Sequence, residues 1–181
     1  MSNEIVKNYM RYLKLERNYS QNTLEAYRHD LRFLLEYAEQ NDLTLTEMKL
    51  ENLENFSASL HDRGVSARSQ ARILSGVRSF YRFLVLDDYI KDDPTELLVS
   101  PQIGQHLPEY LTVEEVDMME GAIDLSKWEG QRNKAIIETL FSCGLRVSEL
   151  VNLKKSDIFE QEKFIRVLGK GNKERLVPIS D

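Results

Sequence analysis

Over the first ninety positions, apolar residues recur at intervals of three and four, the repeat that gathers side chains on one face of an α-helix. Ile5, Tyr9, Tyr12 and Leu13 share a side over roughly Ile5–Leu15. The chain turns at Asn18-Tyr19-Ser20, where Ser20 or Asn22 can cap a second helix, with Glu25 three residues after Asn22. That helix reaches about Ala38, carrying Leu24, Tyr27, Leu31, Leu34, Leu35 and Ala38 at 3-4 spacing. A third helix, roughly Leu50–Asp62, stops where Gly64 takes the C′ place. The fourth, Ser66 to about Leu86, has the clearest period of all.

Past Asp92-Asp93-Pro94 the pattern breaks, and Pro101, Gly104 and Pro108 punctuate a connecting stretch that reaches about Leu111. Thr112-Val-Glu-Glu115 is a capping box that opens a helix to about Ile123. Another helix spans roughly Gly130–Ser142, and one more follows Gly144 and runs to about Leu153. The period then changes to two. Phe164–Leu168 and Arg175–Ile179 are short and rich in β-branched residues, and they flank Gly169-Lys-Gly-Asn-Lys173, which reads as a β-hairpin loop. The expected fold is mainly α with a small β-hairpin or sheet. A four-helix domain would occupy residues 1–91, a linker 92–107, and the first part of an α/β domain 108–181.

On a wheel of about 100° per residue, Ile73, Leu74, Val77, Phe80, Tyr81 and Leu84 lie within about 60° of one pole of the fourth helix. Arg68, Arg72, Ser75, Ser79 and Arg82 gather within about 40° of the opposite pole. One face is core, and the other is a stripe of arginines among small hydroxyl residues. Serines permit close approach, and arginine offers forked donors to phosphate. A solvated basic face is the competing reading, but such faces usually mix signs and this one holds no acid.

The chain of 181 residues has a net charge of −6, which argues weakly against a polyanion partner. Its distribution reverses that. Val65–Leu86 holds four arginines and no acid, a net +4. Lys163–Arg175 holds five bases against Glu174, again +4, while Asp87–Gly121 between them has ten acids against Lys91, a net −9. A polyanion responds to these local fields. The one cysteine, Cys143, excludes an intrachain disulfide and fits a reducing, cytoplasmic setting. No apolar run approaches the ~18 residues of a membrane span, and Met1-Ser2-Asn3-Glu4 opens no signal peptide. Three scattered histidines and one cysteine suggest no metal site.

Two places carry candidate chemistry. In Gly144-Leu-Arg-Val-Ser-Glu-Leu150, Arg146 follows a glycine near a helix start, where backbone amides favour an anion, and Glu149 is spaced to hold it. A plain surface Arg–Glu pair is the alternative. Lys170 sits between two glycines at the hairpin tip, a mobile point charge suited to touching a phosphate or donating a proton, or simply a solvated loop charge. Lys173 and Arg175 read as ordinary phosphate or solvent contacts.

Phe141-Ser-Cys-Gly-Leu-Arg-Val-Ser-Glu-Leu-Val151, then Ser156-Asp157-Ile158, then Val167-Leu-Gly-Lys-Gly-Asn-Lys-Glu-Arg-Leu-Val-Pro178 resemble the tyrosine recombinase (phage integrase) family, Xer type. Ser20-Gln-Asn-Thr-Leu-Glu-Ala-Tyr27 with Asp30-Leu31, and Ser66–Ser75 with Arg78–Leu84, resemble that family's N-terminal core-binding, SAM-like domain. The resemblance spans essentially the whole chain, with several motifs in order. It implies an enzyme that cuts one DNA strand with a tyrosine hydroxyl, forms a 3′-phosphotyrosyl link and rejoins strands without metal or other cofactor. Arg146 would be the first catalytic arginine and Lys170 the hairpin lysine that protonates the 5′ leaving oxygen. Thr23, Tyr27, Arg28, Arg68, Arg72, Ser75, Arg82, Lys173 and Arg175 are the candidate DNA contacts. Partners implied are double-stranded DNA and further recombinase subunits, a tetramer on synapsed sites; neither a membrane nor a small-molecule substrate is.

The family's His-x-x-Arg box, its next histidine or tryptophan and its nucleophilic tyrosine would all fall beyond Asp181. His29-Asp-Leu-Arg32 has the spacing but lies in an N-terminal helix, the wrong order and setting. The connecting stretch is acidic where a basic one would be expected. The chain is therefore expected to bind duplex DNA and not cleave it, and to leave apolar faces of its second domain uncovered. A short DNA-binding protein without catalysis, and a helical protein-interaction module, remain the other readings.

Overall fold

The computed structural model describes residues 2–104, 107–169, 171 and 173–179. The chain divides into two compact units, Met1–His106 and Leu107–Asp181. The first holds helices α1 (Ser2–Leu15), α2 (Gln21–Gln40), α3 (Leu50–Asp62) and α4 (Ala67–Leu86). Ser20, in extended conformation, caps α2 by accepting from the Thr23 amide, and Ser66 caps α4 in the same way. Ser20 wins over Asn22 because a cap needs backbone outside the helix, and Asn22 already lies within the first turn.

The periodic apolar residues close one core. Tyr9, Leu34, Leu53, Phe56, Leu60, Leu74, Val77, Phe80, Tyr81 and Leu84 are fully buried in it. Tyr9 meets Phe80 edge-on at 5.3 Å, and the buried Tyr81 hydroxyl donates to the Leu45 carbonyl at 3.0 Å. Helices α2 and α4 approach closely at Gly76, where a Cβ would stand 3.0 Å from Asp30 Cβ and 3.2 Å from its Oδ2. Gly76→Ala is expected to destabilise this unit by about 1 kcal/mol. Overpacking costs about 1–3 kcal/mol, offset by about 1 kcal/mol of helix propensity, and urea denaturation followed by circular dichroism reads the difference.

Part of the expected linker is fastened to this unit. Leu98 is buried in its core, and Arg78 donates to the Leu98 carbonyl at 2.5 Å and to Ser100 Oγ at 2.9 Å. Asp93 Oδ1 accepts from both the amide and the hydroxyl of Thr95, which is buried.

The second unit contains α5 (Val113–Gly121), α6 (Trp128–Cys143), the single-turn α7 (Val147–Val151), a 3-10 turn (Lys155–Asp157) and strands β1 (Ile158–Phe159), β2 (Phe164–Leu168) and β3 (Glu174–Pro178). Both halves of the Thr112/Glu115 capping box form. The sheet runs β1-β2-β3, antiparallel throughout, with Ile165 opposite Val177 and Val167 opposite Arg175. The two-residue β1 was not anticipated, being too short to show an alternation. Helix α7 stops at Val151, short of the expected Leu153. The core here is small: Leu145, Ile165 and Val167 are buried, with Leu140, Leu150, Leu153 and Val177 against them. Tyr110, Met118, Trp128, Phe141 and Val151 are exposed.

Candidate DNA-binding and phosphate site

In the second unit the site is built around a carboxylate. Helix α6 ends on Gly144 in the left-handed conformation (φ 58°), a turn that suits a residue without Cβ, and the chain re-enters helix two residues later with Arg146 as N-cap. Glu149, one turn on, is buried, and its Oε2 accepts from the Arg146 amide at 2.9 Å while Oε1 accepts from Arg146 Nη1 at 2.8 Å. From β3, Arg175 completes the arrangement with two parallel bonds of 2.7 Å, Nη1 to Oε1 and Nη2 to Oε2. The forked bonds of Arg175, and after them the Arg146 amide, hold the Glu149 carboxyl well below the usual carboxylate range.

This geometry separates two arginines that look alike in sequence. Arg175 spends both terminal nitrogens on Glu149 and is only 38% exposed along its side chain; Arg146 commits one and remains 69% exposed. Arg146 therefore keeps free donors for a ligand, and Arg175 acts as a strut that ties the hairpin to α7. One turn of helix supplies little dipole, so the field at this place comes from guanidinium groups rather than from a helix terminus. At the base of the hairpin, Gly169 donates to the Lys173 carbonyl at 2.7 Å, and a Cβ on Gly169 would stand 3.3 Å from Arg175 Nη1. Lys173 is exposed. Lys170 lies outside the described residues. The Glu149–Arg175 link had a legible signal: Arg175 alternates with Val177 on the inner face of β3, where an arginine needs a buried acid.

In the first unit, Arg68, Ser75 and Arg82 are exposed along one face of α4, and Ser79 is half-buried on it. Arg72 shares the face, but it is not a free cation. Its Nη1 donates to Asp30 Oδ2 at 2.9 Å and its Nη2 lies 2.6 Å from Oδ1, with that carboxylate buried on α2. Burial pushes the Asp30 carboxyl up, and Arg72 draws it back toward the charged form. On α2, Arg28 is exposed and Tyr27 stacks on Tyr19 at 5.8 Å; Thr23 is half-buried and engaged with the Ser20 cap. Both Tyr27 and Thr23 thus have structural work of their own. The His29/Arg32 pair stays on the surface, with Arg32 beside Glu36 at 3.4 Å. Among the described residues, no helix is long and apolar enough to cross a membrane, and no group of three or more His, Cys, Asp or Glu is placed to hold a metal ion.

Residues 6–87 match the phage integrase N-terminal SAM-like domain, and residues 109–181 match the phage integrase family. The chain belongs to the phage integrase family of tyrosine recombinases. It is 37% identical over 178 residues to tyrosine recombinase XerD of Staphylococcus haemolyticus, covering 98% of this chain and 60% of that protein. With the XerD of Staphylococcus epidermidis the identity is 36% over 180 residues, 99% of this chain and 61% of the relative. The chain thus spans about three-fifths of the length of these relatives. In fold it is similar to a lambda integrase dimer bound to a COC′ core site (TM-score 0.75, 19% identity, 97% of this chain and 61% of that one). It is likewise similar to the Tn1549 transposon integrase in complex with circular intermediate DNA (TM-score 0.71, 19% identity, 98% and 61%). The architecture is thus a SAM-like helical domain followed by part of the integrase catalytic fold.

Proposed function

We propose that this chain is the DNA-binding and phosphate-gripping portion of a Xer-like site-specific recombinase, acting on double-stranded DNA in the cytoplasm as one of several subunits. Residues 1–91 hold the duplex, residues 92–107 connect, and residues 108–181 bring cations to the scissile phosphate. The observation that carries this reading is Arg146: anchored at its amide and one terminal nitrogen by Glu149, it presents the rest of a rigid fork to solvent. Catalysis of strand transfer at phosphorus depends on such fixed cations around the non-bridging oxygens. Lys170, between Gly169 and Gly171, is the proposed proton donor to the leaving oxygen. Arg68, Ser75 and Arg82 of α4, with Arg28, Tyr27 and Thr23 of α2, are the proposed duplex contacts. Arg72 on α4, and separately Lys173 and Arg175 in the second unit, are proposed contacts as well, Arg72 and Arg175 each held by a carboxylate.

All eight tyrosines precede Arg146 in the sequence, so this stretch brings a phosphate grip without an attacking group after the hairpin. The expected behaviour is salt-dependent binding of duplex DNA with no covalent adduct. Fluorescence anisotropy across a salt series measures the first, with log K falling about 0.9 per phosphate contact for each tenfold rise in salt. Incubation with a nicked suicide substrate, resolved on a denaturing gel, measures the second. A protein–DNA adduct would overturn the non-cleaving assignment, and absence of binding at low salt would leave the helical unit as a protein-interaction module.

A further inference from the structure

Beside the stripe on α4, against α1 and the turn that follows it, lies a notch of 480 Å³. Its floor is aromatic, with Tyr12 against Phe83 at 5.2 Å and Tyr19 stacked on Tyr27 at 5.8 Å. Arg17 and Arg82 line it, the Arg17 guanidinium 5.9 Å above the Tyr19 ring, and no carboxylate does. In a chain with 30 acidic residues, a concave wall with two guanidiniums and no acid has a strong electrostatic preference.

The polar atom at the back of the notch is the Ser79 hydroxyl. Tyr9 is fully buried, and its hydroxyl donates to Ser79 Oγ at 2.9 Å. Half-buried Ser79 lines the notch, and the Tyr27 hydroxyl is a second side-chain partner of the same serine. Two cations beside a serine hydroxyl form a site for an anion with several acceptor oxygens, and the aromatic floor suits an apolar ring beside it.

We propose that this notch seats one backbone phosphate of duplex DNA, its oxygens taken by Ser79 and Arg82 with Arg17 at the rim, its deoxyribose resting on the aromatic floor, and Tyr9 acting as the positioning residue for Ser79. The inference rests on the DNA-binding reading above and adds Arg17, Ser79 and Tyr9 to it.

The test is anisotropy of the full 181-residue chain on duplex DNA over a salt series. Arg82→Gln is expected to flatten the slope of log K against log salt by about one phosphate's worth, ~0.9. Ser79→Ala is expected to weaken binding about tenfold at fixed salt without changing the slope, because a neutral hydroxyl displaces no counterion. Tyr9→Phe should weaken binding alone and add nothing in the Ser79→Ala background, a dependence that a general packing role would not produce. Arg17→Gln should weaken binding more than Lys7→Gln, which removes the same charge from α1 outside the notch. Inorganic phosphate at millimolar concentration should not relieve the Ser79→Ala defect; if it competes equally with wild type and both variants, the notch is not the seat. Wild-type binding with Arg82→Gln and Ser79→Ala both unchanged would overturn the proposal and leave the DNA-binding reading standing. Absence of salt-dependent binding by wild type would overturn both. Should Tyr9→Phe fail to fold, the Ser79→Ala and Arg82→Gln arms still decide.

Discussion

Glu149→Ala is expected to uncouple α7 from the hairpin and release two arginines at once. Four charge-assisted bonds converge on that carboxylate, from the Arg146 amide, Arg146 Nη1 and both terminal nitrogens of Arg175. Bonds to charged groups are the stronger class, so local opening should rise about a hundredfold or more. Hydrogen exchange at the Leu150 amide, bonded to the Arg146 carbonyl, and at the Gly169 amide, bonded to the Lys173 carbonyl, reads that opening directly. Glu149→Gln should fall between, since an amide oxygen still accepts from the Arg146 amide but cannot take both nitrogens of Arg175. A variant chain with unchanged exchange at both amides would refute the coupling. Because the Glu149 carboxyl is held below its ordinary value of 4.5, the unfolded chain binds the proton more readily than the folded one. The stability it contributes is therefore complete above about pH 4.5 and declines as pH falls further toward the folded-state value. The carboxyl carbon shift of Glu149 should stay flat from pH 7 down to about 4.5.

Arg72→Ala is expected to cost about 2 kcal/mol of stability in the helical unit, whereas Arg68→Ala should cost under about 0.5 kcal/mol. The two arginines sit on one face of α4, but only Arg72 neutralises a buried acid, Asp30, whose side chain is 5% exposed. Removing it leaves that buried carboxylate without its guanidinium, with the His29 ring nitrogen 4.0 Å away. The half-exposed guanidinium tempers the value of the pair, so the figure lies below the usual cost of breaking a fully buried one. Burial already pushes the Asp30 carboxyl above its ordinary value, and loss of Arg72 removes what opposes that push. A group raised in the folded state contributes its stability below the unfolded value and loses it as pH rises through the folded one. The deficit of Arg72→Ala should therefore shrink between pH 7 and pH 5, and Asp30→Asn added to it should recover most of the loss. Urea midpoints at the two pH values decide; equal deficits at both would show that Asp30 is not the cause. Arg68→Ala should instead reduce DNA affinity about fivefold at physiological salt, one phosphate contact.

The helices of the first unit were readable because each carries its own period. Leu74, Val77, Phe80, Tyr81 and Leu84 lie on one face whatever packs against them, and Ser20, Ser66 and Thr112 cap through bonds that span three residues. The wheel also placed Arg68, Arg72, Ser75 and Arg82 together, since a face is a property of one helix. Connecting segments were less legible. Asp93–Ser100 looked like a free linker because its proline and acids carry no period, yet Arg78, twenty residues upstream, reaches back to fasten Leu98 and Ser100. A bond over that separation depends on where two elements come to rest, and local composition does not encode it.

The same division runs through the candidate site. Sequence alone put Arg146 and Glu149 one helical turn apart and placed Arg175 in a hairpin strand. It also established the order of the family's motifs, because each is a short local pattern. Tertiary structure alone decided which arginines are free. Glu149 and Arg175 lie 26 residues apart and Asp30 and Arg72 42 apart, and both pairs form only when helix, strand and helix are packed. A cation's availability to phosphate depends on whether a carboxylate has already claimed its donors, and that is settled by distances of about 3 Å between elements that the sequence leaves far apart.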